Sequence, residues 1–241
     1  MSNYAYISKL CLDKQTLPQI SLVQSNLILK RIKPQVHDIY NISASHYINA
    51  GHEGLLHFNY LLNAVIQDVN SASLEELNLA LGIIIYKGHG KDKTSDRSYR
   101  TITTCPFLAK ALDLYIRDLF KEKWDAAQSC TQYQGSGSSH ELAALLLTEV
   151  IQYSLYQKSQ PVFILALDAQ SAFDRCLRQI IVEELYRTKV CGSALTFIDS
   201  RLLNRSTVYQ WDNVAMGPSK DDTGVEQGGI NSSEFYKLYN N

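Results

Sequence analysis

Residues 161–175 read PVFILALDAQSAFDR, an apolar run that ends abruptly on a carboxylate. Val162, Phe163, Ile164, Leu165 and Leu167 follow one another without polar alternation, which predicts a strand buried on both faces. Asp168 closes the run. A carboxylate at the end of a rigid, buried strand is placed to serve as a metal ligand or acid/base group at the mouth of a sheet. An aspartate in that place also serves as an ordinary turn residue or helix cap. The rest of the chain has to separate these readings.

At 241 residues the chain can form one large domain or two small ones with proper cores. Lys and Arg number 23 against 24 Asp and Glu, so the net charge of −1 gives no whole-chain attraction to a polyanion. Any nucleic-acid contact must come from a local patch. Cys11, Cys105, Cys130, Cys176 and Cys191 are odd in number and never spaced as CxxC, which indicates neither a disulfide framework nor a zinc site. The first residues lack the apolar core of a signal peptide, and no window approaches the roughly 20 apolar residues that span a bilayer. The expectation is an intracellular protein, cytoplasmic or nuclear, without a membrane partner; its oligomeric state is open.

Taken in order, residues 22–32 have helical spacing before Pro34, and Leu55, Phe58, Leu61, Leu62, Val65 and Ile66 form a second helical stripe. Ser73 with Glu76 reads as a capping box for the helix that follows. His52-Glu53 and His57 are one residue too far apart for a zinc-protease pair, since five residues turn a helix by about 500°. LGIIIY at 81–86 and YRTIT at 99–103 read as a long-looped hairpin. Its loop concentrates Lys87, Lys91, Lys93, Arg97 and Arg100 against Asp92 and Asp96, as a phosphate-rich ligand would require and as a solvated loop would also allow. Helices are predicted from Pro106 to about Lys123, over 141–156, 177–187 and 194–203, then a strand at 207–211 with a return partner at 214–216. A Gly-Gly turn with Gln227 precedes a short terminal helix. The fold class is α+β, with residues 1–80 a helical extension.

Four ordered segments resemble one family, the reverse transcriptase domain of non-LTR (LINE-type) retrotransposons. YKGHGKDKTSDRSYRTITTCPFLAKALD resembles its basic fingers hairpin, and TQYQGSGSSHELA the segment leading into the helix between fingers and palm. LALDAQSAFDR is similar to palm motif A, and GVEQGGINSSEFYKLYNN to motif B. The resemblance covers about residues 39–241 and implies a partial right-hand polymerase: fingers at 81–135, a connecting helix at 136–157 and an incomplete palm at 158–241. It implies Asp168 as catalytic residue and Mg²⁺ ligand. Lys87 and Arg100 would contact the phosphates of a deoxynucleoside triphosphate, Phe173 would screen the sugar, and Gln227 and Gly228 would lie against nucleotide and template. Lys91, Lys93 and Arg97 would contact nucleic acid. RNA template and DNA primer are the implied partners.

The departures from that family are as informative. Motif B carries Glu226 and Ser233 where the family usually has prolines, which predicts a looser turn or a more acidic nucleotide site. The sequence reaches Asn241 without the family's paired-Asp motif, and Asp221-Asp222 reads as a hairpin loop. An Asp or Glu about 4 Å from a divalent ion contributes several kcal/mol even at an effective dielectric of about 20. The expectation is therefore a reverse transcriptase by descent that is inactive as this chain alone. The alternative is a catalytically dead retrotransposon remnant that still binds nucleic acid.

Overall fold

The computed structural model describes residues 16–68, 74–88, 90–129, 132–133, 139–169, 171–212, 214–220 and 222–240. The α-helices and strands in chain order are α1 (Leu22–Arg31), α2 (Ala44–Asn49), α3 (Gly51–Gln67), α4 (Leu74–Leu77), β1 (Leu79–Tyr86) and β2 (Tyr99–Thr104). There follow α5 (Phe107–Ala127), α6 (His140–Gln152), α7 (Arg178–Arg187), α8 (Gly192–Leu203), β3 (Ser206–Trp211), β4 (Val214–Lys220) and α9 (Ser232–Tyr239). The architecture is mixed α/β. Ser73, half of the expected capping box, and the glycine-rich residues 135–138 lie outside the described residues.

The strands form one sheet in the order β2-β1-β3-β4. β1 and β2 make the expected antiparallel hairpin, with Ile83 opposite Ile102 and Tyr86 opposite Tyr99. β3 and β4 are antiparallel with a bulge between Thr207 and Tyr209. The join between the two hairpins is parallel, Leu81 opposite Val208, and brings together segments far apart in sequence. Pro218 sits in β4, an edge strand exposed along its length, where a missing N–H costs little.

Local chemistry sets the helix ends. α1 opens with a capping box: Ser21 Oγ accepts from the Gln24 amide at 3.2 Å, and Gln24 Oε1 accepts from the Ser21 amide at 2.9 Å. α5 has Pro106 at its N-cap, a residue with no side-chain oxygen to offer. Asp38 supplies the cap from a distant loop, its Oδ2 accepting from the Phe107 amide at 2.7 Å while Oδ1 accepts from Tyr40 and Ile42 amides at 2.9 and 2.8 Å. The loop after α1 is thereby pinned to the helix that forms the centre of the core.

α3 buries Phe58, Leu62 and Ile66 on one stripe, as the spacing predicts. These join Leu112, Ile116, Trp124, Ile181, Leu195 and Leu238 in one apolar cluster. Trp124 is fully buried against the rings of Phe120 and Phe235, at 6.3 and 5.8 Å. Each such side chain contributes roughly 1.5–3 kcal/mol on burial, so this cluster is the main source of stability. The described cysteines Cys105, Cys176 and Cys191 are free thiols.

The central expectation of a buried strand at 162–167 is corrected. Residues 161–169 adopt no regular structure, and Phe163, Leu165 and Leu167 are 92, 82 and 86% exposed. α6 just before it is capped by Ser139, yet buries none of its residues. The reason is pairing. A strand forms only where a neighbour takes its N–H and C=O groups, and residues 161–169 make no hydrogen bond among the described residues. On the β2 side of the sheet, the Thr103 amide donates to the Gln227 carbonyl at 2.8 Å. Apolar β-propensity without a partner strand leaves the run in water.

Candidate functional site

A cleft of about 1080 Å³ opens between the β1–β2 hairpin, β3, and the loop that leads from β4 to α9. The loop is held on both sides by backbone contacts. On one side the Val225 amide donates to Phe173 O at 2.8 Å, and buried Arg178 donates through Nε to Gly224 O and through Nη2 to Thr223 O, each at 2.8 Å. Gly224 has φ +82°, and a Cβ there would lie 2.7 Å from the Asp174 carbonyl oxygen. On the other side the loop docks on β2. Gly228 has φ +119°, and a Cβ there would lie 2.7 Å from Thr103 O, beside the Thr103–Gln227 hydrogen bond. Gln227 and Gly228 thus touch β2 through main chain, at the end of a loop whose Thr223–Val225 stretch is held by Phe173 and Arg178.

Glu226, just before them, lines the cleft and also reaches a buried cation. Its side chain is buried, with Oε1 3.6 Å from Arg201 Nη2. The same guanidinium lies 3.5 Å from Asp113 Oδ2 and donates through Nη1 to Leu77 O at 2.6 Å. Asn231 Nδ2 donates to Asp113 O at 3.0 Å, tying the start of α9 to the same cluster. Burial pushes the Asp113 carboxyl up to about 6 even though Arg201 opposes the shift. Burial acts to lower Arg201, but the Glu226 and Asp113 carboxylates outweigh it and hold the guanidinium above its usual range. The loop rests on a buried ion cluster.

The cleft collects Lys87, Arg97 and Arg100 from the hairpin, with Phe173, Gln227 and Gly228 on the opposing wall. Lys87 Nζ donates to Arg97 O at 2.8 Å, bracing the two arms of the hairpin. Phe173 lines the cleft and also stacks on Tyr236 at 5.0 Å, so its core and site readings hold together. Lys91 and Lys93 lie farther along the hairpin, exposed and outside the cleft lining. Asp168 is also outside it, exposed on the irregular segment.

Sequence reading did not place Asp174, Arg205 or Lys220 in the site, yet all three line the cleft, and Asp222, read as loop, lines it too. Asp174 Oδ1 accepts from Gln227 Nε2 at 3.5 Å. No signal in the sequence pointed to Arg205 or Lys220, because only the parallel β1–β3 pairing brings them to the hairpin. Among the described residues no three His, Cys, Asp or Glu side chains gather into a group able to hold a metal ion. With Asp168 outside the cleft, the residues as arranged do not make up the magnesium site that the resemblance implies.

Chemically, the hairpin wall offers guanidinium and ammonium groups with Asp96, and the opposing wall offers backbone, a primary amide and the carboxylates of Asp174, Asp222 and Glu226. That combination suits a ligand with several anionic oxygens and a polar ring, bound by charge-assisted hydrogen bonds. No protein-family model matches the chain, and no curated protein matches it. No helix among the described residues is long and apolar enough to cross a membrane.

Proposed function

We propose that this chain carries the nucleotide cleft of a reverse transcriptase of the non-LTR retrotransposon type, in the fingers and part of the palm of a right-hand polymerase fold. One observation carries the reading. Lys87, Arg100, Phe173, Gln227 and Gly228 come from three separate segments that the resemblance picked out, and all line one cleft. In this reading Lys87, Arg97 and Arg100 hold the phosphates of a deoxynucleoside triphosphate. Gln227 and the Gly228 backbone meet its base or sugar, and Phe173 forms the floor beside the sugar. RNA template and DNA primer are the corresponding macromolecular partners.

Binding and catalysis separate here. Asp168, the carboxylate that the resemblance assigns to Mg²⁺, stands in solvent outside the cleft, which favours the second reading of a chain that binds without extending a primer. When bound, magnesium would neutralise phosphate charge in such enzymes; in this arrangement the cations of the hairpin are the groups that do so. The test is an equilibrium titration of the purified chain with a fluorescent deoxynucleoside triphosphate. Lys87→Ala with Arg100→Ala should weaken binding at least about tenfold, since charged hydrogen bonds contribute roughly 1.5–3 kcal/mol each. Asp168→Ala should change it less than about twofold, and no primer should be extended with Mg²⁺ or Mn²⁺. Unchanged affinity in the double variant would remove the phosphate reading. Extension abolished by Asp168→Ala would remove the binding-only one.

A further inference from the structure

At the tip of the sheet, three aromatic side chains from β1, β2 and β3 stand in a row. The ring of Tyr86 lies 5.6 Å from that of Tyr99, which lies 5.0 Å from that of Trp211. Lys93 Nζ sits 5.7 Å from the Tyr86 ring centroid, and exposed Lys91 lies on the same loop. Tyr86 and Tyr99 hydroxyls donate to the Lys91 and Lys93 carbonyls, so the basic loop is tied to the row. Tyr99 and Tyr209 line the cleft. Trp211, two residues past Tyr209 on the same strand, projects from the same face and remains 44% exposed. The row therefore continues the cleft along the sheet and ends in solvent.

Cross-strand aromatic pairs stabilise a hairpin tip, and Tyr86 opposite Tyr99 does so here. That role does not account for Trp211, which packs against Tyr99 and keeps 44% of its surface exposed. Aromatic faces interleaved with cations, leading out of a cleft, are the arrangement that takes up unpaired bases while contacting their phosphates. We propose that Tyr99 and Trp211, with Lys91 and Lys93, form a stacking platform for the unpaired bases of a single nucleic-acid strand that runs out of the cleft. The inference rests on the nucleic-acid reading above and adds the site, the strandedness of the ligand and the residues that meet its bases.

The experiment uses the whole chain, reads affinity for every form from the anisotropy of a dye-labelled strand, and reads contact in the wild type from tryptophan fluorescence. Trp124, the other tryptophan, is fully buried, so quenching by a strand reports Trp211. The probes are a short oligothymidylate and an abasic strand of equal length, which keeps the phosphates and lacks the bases. Oligothymidylate should quench Trp211, and Trp211→Ala should weaken its binding about tenfold, with Trp211→Phe restoring most of it. The abasic strand should bind both forms equally and more weakly than oligothymidylate binds the wild type. A urea midpoint for each variant checks that the fold is intact. If both strands bind alike and Trp211→Ala changes neither, the platform is wrong while the basic-hairpin contact stands. If the triphosphate binds but neither strand does, the platform is wrong and the cleft reading stands. If neither strand nor triphosphate binds, the nucleotide reading fails and the platform with it.

Discussion

Asp38 caps α5 from 69 residues away because Pro106 cannot cap it, with Oδ2 2.7 Å from the Phe107 amide. Asp38→Ala should lower the unfolding free energy by about 1–2 kcal/mol, read as a lower urea midpoint at unchanged slope, and leave triphosphate affinity alone. Gly228→Ala should do the opposite. Its Cβ would meet Thr103 O at 2.7 Å in a backbone conformation with φ +119°, so the loop must shift off β2. Triphosphate binding should weaken at least about tenfold, for a strain of roughly 1–3 kcal/mol relieved by moving Gln227. Full affinity in Gly228→Ala would mean that the loop position does not matter to the ligand. Asp113 gives the pH dependence. Its carboxyl is raised from 3.8 to about 6 by burial, so between those values the folded state keeps a proton that the unfolded state has lost. This contribution is most favourable below pH 3.8 and is lost as pH rises toward about 6. The urea midpoint of the wild type should fall more steeply across that window than that of Asp113→Asn, and parallel profiles would contradict the assignment.

Among the elements, the apolar run 161–169 and α6 are built differently from the rest. They are apolar in sequence and exposed in structure, so they contribute little to stability. Leu165→Ser with Leu167→Ser should change the unfolding free energy by less than about 0.5 kcal/mol, as exposed substitutions do. Leu195→Ala, at a fully buried position of α8, should cost about 2–5 kcal/mol. Hydrogen exchange gives an independent check: amides of 161–169 should exchange at unfolded-chain rates while those of β1 are protected. The contrast also explains what could be read from sequence. The β1–β2 hairpin, the stripe of α3, and helices α5, α7 and α8 are specified by local periodicity, caps and turn residues, and these appear where predicted. A strand at 162–167 depends on a neighbour elsewhere in the chain, and continuous apolar residues cannot indicate whether that neighbour is there.

For the molecule as a whole, the decisive event is the parallel pairing of β1 with β3, which puts Arg205 and Lys220 on the wall of the same cleft as Lys87 and Arg100. No local pattern announces such a pairing. Each of the two strands was legible from local pattern and the roles of Lys87, Arg100, Gln227 and Gly228 only through resemblance, while the ion cluster of Arg201, Asp113 and Glu226 beneath the loop was not legible at all. Glu226 lines the cleft while its carboxylate faces Arg201, a pairing that sequence cannot show because it gives a residue type and not the direction of its side chain. The cleft's position, more than its affinity, is the central claim, and photochemical labelling reads position directly. A photoreactive deoxynucleoside triphosphate, irradiated with the purified chain and mapped by peptide mass analysis, should label segments 87–104 and 222–233 together, with excess unlabelled triphosphate suppressing both. Labelling confined to 161–169, or scattered without competition, would contradict the account.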